Sequence, residues 1–196
     1  MPHYYSQEQE SKLILKPVSV MIRGISLKLV TSSGVFSKKR IDKGTEHLIK
    51  NMIIQPGWKI LDLGCGYGAI GLFAAKLSNT IPYLIDINKR ACQIAKINAK
   101  TNNIYAIILN GSLYDPVKDM TFDSILINPP QTAGKDVCFA MISGSKQHLN
   151  MNGLLQLVAR PNKGGRTLSK KMEEVFGNVD ILAKSSGYAV YVSKHL

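Results

Sequence analysis

Between residues 59 and 86 the chain runs strand, glycine-rich turn, helix, strand, and this stretch constrains the fold more than any other. Lys59–Leu63 is a short apolar strand that leaves through Gly64-Cys65-Gly66-Tyr67-Gly68. Ala69–Leu77 has the composition of a compact helix, and Tyr83–Asp86 reads as the next strand. A strand that exits through a tight turn into a helix and returns as a strand is a βαβ unit, so the two strands lie parallel in one sheet.

The same rhythm continues. Arg90–Ala99 puts Ala91, Ile94, Ala95 and Asn98 on one helical face. Ala106–Leu109 is a third strand, and Phe122–Ile127 a fourth, apolar enough to be central. Val137–His148 reads as a helix, Gly153–Ala159 as a fifth strand and Ser169–Phe176 as another helix. Asp180–Lys184 and Tyr188–Ser193, around Ser186-Gly187, form a closing hairpin. The alternation predicts an α/β fold: a Rossmann-like, doubly wound, mostly parallel sheet ending in an antiparallel C-terminal hairpin.

Ahead of this unit, residues 13 to 31 alternate in hydrophobicity. Val18, Val20 and Ile22 share one face and Ile25, Leu27 and Leu29 another, with Arg23-Gly24 as the turn of a β-hairpin. Thr45 is the expected N-cap of a helix carrying Leu48, Ile49 and Met52 inward and ending at Pro56-Gly57. Residues 1–50 are therefore expected to form an N-terminal hairpin-and-helix extension, and 51–196 one compact catalytic unit. At 196 residues, 45% of them hydrophobic, the chain has material for a single sizeable core.

No apolar run reaches membrane-spanning length, because Asp62 and Lys76 interrupt the most apolar region. The first residues lack the layout of a secretory signal. Cys65, Cys92 and Cys138 are odd in number and contain no C-x-x-C pair, so neither a disulfide framework nor a metal site is expected. A reduced, cytoplasmic setting follows. The formal net charge of +12 concentrates polyanions at the surface and makes nucleic acid the expected partner class, without a membrane.

Glycines at 64, 66 and 68 let a ligand approach the backbone, and Asp86 ends the next strand where a carboxylate grips a ribose diol. That much suits a dinucleotide or an adenosyl group equally. The G-x-G-x-G spacing is not the G-x-G-x-x-G preferred for pyrophosphate. Asp62, just before the glycines, would repel a pyrophosphate and suits an ammonium group, either directly or through water. S-Adenosylmethionine, with an amino-acid tail and a sulfonium, fits these features. Asn128-Pro129-Pro130-Gln131 follows the fourth strand, where open α/β sheets bind ligands. An amide oxygen and a rigid carbonyl there can each accept one N–H of a planar amine and turn its lone pair towards a methyl group. Cys138 does not adjoin the prolines in sequence, which argues against a covalent cysteine route. Cys65 reads as a small packing residue.

Taken together, these segments resemble the small-domain family of class I S-adenosylmethionine-dependent methyltransferases, which includes ribosomal RNA guanine-N2 methyltransferases. The resemblance rests on His3-Tyr4-Tyr5-Ser6, Gly34-Val35-Phe36-Ser37, Asp42-Lys43-Gly44-Thr45, the glycine turn and Gly187-Tyr188-Ala189-Val190-Tyr191. It implies that Asp86 and Ile87 hold the ribose side, Asn110-Gly111-Ser112 lie against adenine, and Thr45, Asp62, Gly64, Cys65, Gly66 and Gly68 surround the amino-acid end. It also implies that Asn128, Pro129 and Pro130 are catalytic, with Asn128 also touching the cofactor. Family members acting on bases often carry an aromatic residue after Pro-Pro that stacks on the target. Gln131 stands there instead, so either Phe36, Tyr4 or Tyr5 supplies the stacking or the target is not a simple stacked purine.

Lys38, Lys39 and Arg40 are expected to meet phosphate near the mouth, with Phe36 and Gln131 on the substrate side. Lys163, Arg166, Lys170 and Lys171 form a second basic cluster, equally consistent with a solvated face. His47 and His148 read as ordinary surface or core residues. The implied reaction is methylation of an exocyclic base nitrogen in RNA, guanine N2 foremost, with a protein partner aiding recognition. A protein glutamine, a DNA adenine, a non-catalytic RNA adaptor and a nicotinamide enzyme remain as alternatives.

Overall fold

The structure is a computed structural model that describes residues 15–32, 41–130 and 134–196. A hairpin comes first, β1 (Leu15–Ile22) and β2 (Ile25–Ser32), followed by α1 (Lys43–Asn51). Then come β3 (Ile60–Leu63), α2 (Ala69–Ser78), β4 (Pro82–Asp86), α3 (Lys89–Thr101) and β5 (Ile107–Asn110). The remainder is β6 (Phe122–Ile127), α4 (Lys135–Ser145), β7 (Leu149–Ala159), α5 (Arg166–Phe176), β8 (Asp180–Ser185) and β9 (Tyr188–Lys194).

The large sheet runs in the order β5-β4-β3-β6-β7-β9-β8. The strands from β5 to β7 are parallel, and β9 is antiparallel to both β7 and β8. The chain winds from β3 outward to β5, then crosses back to β6 on the other side of β3. The carboxyl ends of β3 and β6 are therefore neighbours across the point where the winding reverses, the place where such sheets open a crevice.

Side-chain parity makes two cores. Leu61 and Leu63 of β3, Ile125 and Ile127 of β6 and Leu155 and Leu157 of β7 pack with α4 and α5 on one face. Ile60, Leu84, Leu126 and Val158 pack on the other, with α1, α2, α3 and the N-terminal hairpin. Asp62 has the parity of Ile60, so it lies under α2 between its register partners Leu84 and Leu126.

Two boundaries differ from expectation, the first for a local reason and the second for a tertiary one. The N-cap of α1 is Asp42, whose Oδ1 and Oδ2 accept the Gly44 and Thr45 N–H groups at 2.8 and 3.0 Å. This leaves the Thr45 hydroxyl available elsewhere. The helix also ends at Asn51, before Pro56-Gly57. Fully buried Gln156 captures Ile53 from both sides, accepting its N–H at 2.8 Å and donating to its carbonyl at 2.7 Å, which draws the chain out of the helix.

Two asparagines, Asn98 of α3 and Asn102 at its end, fasten the hairpin. Asn102 accepts the Lys28 N–H at 2.9 Å and donates to the Lys28 carbonyl at 2.8 Å, and Asn98 does the same for Val30 deeper in. Asn98 on α3 is fully buried; its Oδ1 accepts from Val30 N–H at 2.6 Å and its Nδ2 donates to the Val30 and Tyr67 carbonyls, both at 2.9 Å. Asn98→Ala leaves three backbone groups without their partner. It should cost about 2–4 kcal/mol of stability. Hydrogen exchange should show the Val30 amide opening before the β3–β6 strand amides. Equal protection of Val30 in both proteins would contradict that fastening.

Candidate active site

The three loops that leave β3, β4 and β5 meet at Asp86, which is 3% exposed. Its Oδ2 accepts the Gly66 N–H and its Oδ1 the Asn88 N–H, each at 2.8 Å. Its main-chain carbonyl accepts from Gly111 N–H at 3.1 Å and Asn110 Nδ2 at 2.9 Å. The Gly64 and Cys65 N–H groups both reach the Ile85 carbonyl, at 2.8 and 2.9 Å. Gly64 and Gly66 carry φ of +76° and +56°, the left-handed region that side chains resist.

The turn opens onto a cavity of about 290 Å³. Thr45, Gly64, Cys65, Gly66, Asp86, Ile87, Gly111, Ser112, Asn128, Pro129 and Pro130 line it, so one space gathers most of the residues expected from sequence. Leu113, Val137 and Met141 add an apolar side that the sequence did not announce, the last two brought in by α4.

Asp62, Gly68 and Asn110 stand one layer behind the lining. Asp62 is completely buried, and its Oδ2 accepts the Gly71 N–H at 2.8 Å, which ties β3 to the first turn of α2. Among the described residues its Oδ1 has no hydrogen-bond partner. Gly68 begins α2, where an added Cβ would lie 2.9 Å from Leu84 and 3.2 Å from Ala95, so its role is close packing. Asn110 binds the Asp86 and Ile87 carbonyls, both at 2.9 Å. Phe36, Lys38, Lys39, Arg40 and Gln131 lie outside the described residues, as do Tyr4 and Tyr5.

Asn128 stands at the carboxyl end of β6, with both amide hydrogens engaged. Nδ2 donates to Asp42 Oδ2 at 3.0 Å and to Thr45 Oγ1 at 2.9 Å. That pattern assigns the amide orientation and leaves Oδ1 as an acceptor. Gly44 makes room for it, since a Cβ there would lie 3.3 Å from Oδ1 and 3.0 Å from Tyr188 Cε1. Asp42 was overlooked as a site residue, although an acid two residues before a helix-opening glycine is a capping signal.

A second cavity, about 260 Å³, lies beyond the same Asn128-Pro129-Pro130 wall. Lys135, Cys138, Arg160, Lys163, Thr167 and Tyr188 are among its lining. Cys138 thus shares a cavity with the prolines despite its distance in sequence, because α4 folds back along them. Burial pushes its thiol pKa up, so it is poorly suited as a nucleophile. Cys65 is held well above the ordinary thiol range by burial and by the Asp86 charge, as suits a packing residue. His47 and His148 are both buried, and His148 stacks on Tyr114 with ring centroids 4.5 Å apart.

The lining fits S-adenosylmethionine. Backbone turns admit a close ligand, an apolar side suits adenine, the Asp86 carboxylate stands in the lining where it can meet hydroxyls, and Asp62 lies beneath the turn. Among the described residues no cluster of ligating side chains forms a metal site.

Burial pushes the Asp62 pKa up to about 7; the Gly71 N–H opposes this and the nearby Asp86 charge adds to it. In the unfolded chain this carboxyl ionises near pH 4. Between about pH 4 and 7 the folded state therefore holds a proton that the unfolded state has lost, and the stability tied to this group falls as pH rises. Asp62→Asn should gain stability relative to the unsubstituted protein, and the gap should widen by about 2.5 kcal/mol from pH 5 to pH 8. Denaturant unfolding at the two pH values measures it; a gap independent of pH would refute the assignment.

The methyltransferase small domain family model matches residues 26–192. The chain is 36% identical over 198 residues to an uncharacterized protein, YbxB, of Bacillus subtilis, with 98% of each chain covered. It is 28% identical over 189 residues to the ribosomal RNA small subunit methyltransferase C of Pseudomonas syringae, covering 92% of this chain and 55% of that one. It thus spans about half the length of these ribosomal RNA methyltransferase relatives. Among solved structures it superposes with a TM-score of 0.84 on the T. thermophilus 16S rRNA N2 G1207 methyltransferase in complex with AdoMet and guanosine. That match is 23% identical and covers 96% of this chain and 52% of that one. With the family model spanning most of its length and the sheet wound around a fitting cavity, the chain belongs to the methyltransferase small domain family.

Proposed function

We propose that this protein transfers a methyl group from S-adenosylmethionine to an exocyclic amine of a base in RNA, with guanine N2 as the target. One observation carries the reading: a single neutral wall, Asn128-Pro129-Pro130, lines both cavities. The ribosomal RNA methyltransferase relatives, and the neighbour crystallised with AdoMet and guanosine, support RNA and guanine. The excess of 25 Lys and Arg over 13 Asp and Glu supports a polyanionic substrate. The catalytic unit is 51–196, with 1–50 contributing α1 to it, and the setting is the cytoplasm.

S-Adenosylmethionine supplies an electrophilic methyl group on a sulfonium sulfur when bound. Asp86 accepts from ribose hydroxyls, Gly64 and Gly66 leave room for the amino-acid tail, and Thr45 stands at that end. Gly111, Ser112, Ile87, Leu113 and Met141 enclose the adenine. On the other side, Asn128 Oδ1 and the Pro129 carbonyl accept the two N–H bonds of the target amine. An exocyclic amine is a poor nucleophile because its lone pair is delocalised into the ring. Two acceptors placed this way favour a pyramidal nitrogen, with the lone pair facing the first cavity. The rate comes from orientation and fixed dipoles rather than from a strong base. Asp42 and Thr45 are positioning residues, since they prevent the Asn128 amide from flipping.

Asn128→Ala should lower kcat by about two orders of magnitude while leaving S-adenosylhomocysteine affinity almost unchanged. Asp42→Ala should cost about 1 kcal/mol of stability through its lost cap and lower kcat by less than Asn128→Ala does. The direct test incubates the protein with labelled S-adenosylmethionine and total RNA from a strain lacking the gene. Mass spectrometry of the nucleosides should then show N2-methylguanosine. Label in protein or DNA but not in RNA would reject the proposal.

A further inference from the structure

The second cavity is cationic on one side. Lys135, Arg160 and Lys163 line it, and no Asp or Glu is among its described lining residues. Arg160 follows the end of β7, at the entry to a tight turn. Its carbonyl accepts the Lys163 and Gly165 N–H groups at 2.9 and 3.0 Å, so its backbone is fixed. Its guanidinium lies 5.0 Å from the Tyr188 ring centroid. The ring in turn abuts Gly44, at the helix end that also anchors Asn128. Among the described residues no carboxylate forms an ion pair with Arg160. A guanidinium set against an aromatic face, with no carboxylate partner among the described residues, lines the space where the target base would sit.

A guanidinium fork matches two adjacent acceptors in one plane. Guanine presents such a pair at O6 and N7, on the side away from its N2 amine, whereas adenine places a donor at the equivalent position. We propose that Arg160, held by Tyr188, is the residue that selects guanine by donating to O6 and N7, while Lys135 and Lys163 receive the nucleotide's phosphate. This deepens the base-methylation reading and rests on it. It also assigns the aromatic contribution that Gln131 does not make: Tyr188 acts through the arginine it supports.

Four ribonucleoside monophosphates separate the two ends of the base. Inosine monophosphate keeps O6 and N7 but lacks the amine; the 2-aminopurine nucleotide keeps the amine but lacks O6. The full chain, loaded with S-adenosylhomocysteine, is titrated calorimetrically with both, and with GMP and AMP. GMP should bind best. Arg160→Gln should weaken GMP and inosine monophosphate about tenfold and leave the 2-aminopurine nucleotide within about twofold. Arg160→Lys should resemble Arg160→Gln, because a point charge does not replace the fork. Asn128→Ala should weaken GMP and the 2-aminopurine nucleotide but not inosine monophosphate. Unchanged S-adenosylhomocysteine affinity in each variant shows that the fold is intact. Equal binding of all four nucleotides to the unsubstituted protein, or none, overturns the assignment, as does an equal loss of GMP and AMP in Arg160→Gln. If the protein methylates RNA but Arg160→Gln leaves its nucleotide preference unchanged, the function stands and Arg160 is removed from it. Absence of RNA methylation by the unsubstituted protein removes both.

Discussion

The carboxylate of Asp86 is the point to which the rest of the site is registered. Two of its lone pairs are spent on backbone N–H groups from different loops, those of Gly66 and Asn88. Its carbonyl holds a third loop through Gly111 and Asn110. The segments that would touch a cofactor are thus fixed relative to one another before any ligand arrives, so binding need not bear the cost of ordering them. The same arrangement explains the neighbouring glycines. A loop drawn this tightly onto a side chain turns through positive φ at Gly64 and Gly66, and a Cβ at Gly111 would lie 2.4 Å from Pro116. The Asp86 charge also reaches Asp62, buried one strand away, and adds to the burial that raises the pKa of that second carboxyl.

What looks like an N-terminal appendage is part of the site. Helix α1 supplies Thr45 to the first cavity, and its cap, Asp42, holds the amide of Asn128 from the far side of the sheet crossover. Helix α1 is held in turn by the Gln156–Ile53 pair beneath it. The hairpin connects through Asn98 to the Tyr67 carbonyl, within the glycine turn itself. A perturbation of β2 therefore has a short, hydrogen-bonded route to the cofactor loop. One apolar cluster contains Leu27, Leu48, Phe73 and Val190 together, so residues on both sides of position 50 share a core.

The parallel sheet was legible because its strands are buried on both faces and read as short apolar runs. Phe122–Ile127 has the same limits in sequence and in structure. The glycine turn and Asn128-Pro129-Pro130 were legible because backbone geometry restricts which residues can stand there. Three things were not visible. Thr45 and Asp42 are both acceptable caps, and the Asn128 amide that engages both stands 83 residues away from Thr45. The side of the sheet on which Asp62 falls follows from strand parity, so it works beneath the turn rather than within the lining. The pairing of Arg160 with Tyr188 depends on β7 and β9 being antiparallel neighbours, with Ala159 opposite Ala189, and no local pattern carries that.

The two cavities differ in electrostatic character, and that difference suits a transfer between them. The first has Asp86 in its lining, Asp62 beneath it and an otherwise apolar surface, and no Lys or Arg among its described lining residues. Such a space favours a cation. The second has three cationic side chains and no carboxylate among its described lining residues, and it favours an electron-rich or anionic guest. Between them stands a wall that carries dipoles but no formal charge. A charged residue at position 128 would strengthen the hold on one guest and repel the other. A carboxylate there would also face Asp42 across the 3.0 Å now spanned by an N–H donor. An amide can donate inward to Asp42 and Thr45 while accepting outward, so it fixes its own orientation and leaves the field on either side undisturbed. The neutrality of the wall is thus as much a requirement of the chemistry as its acceptor atoms.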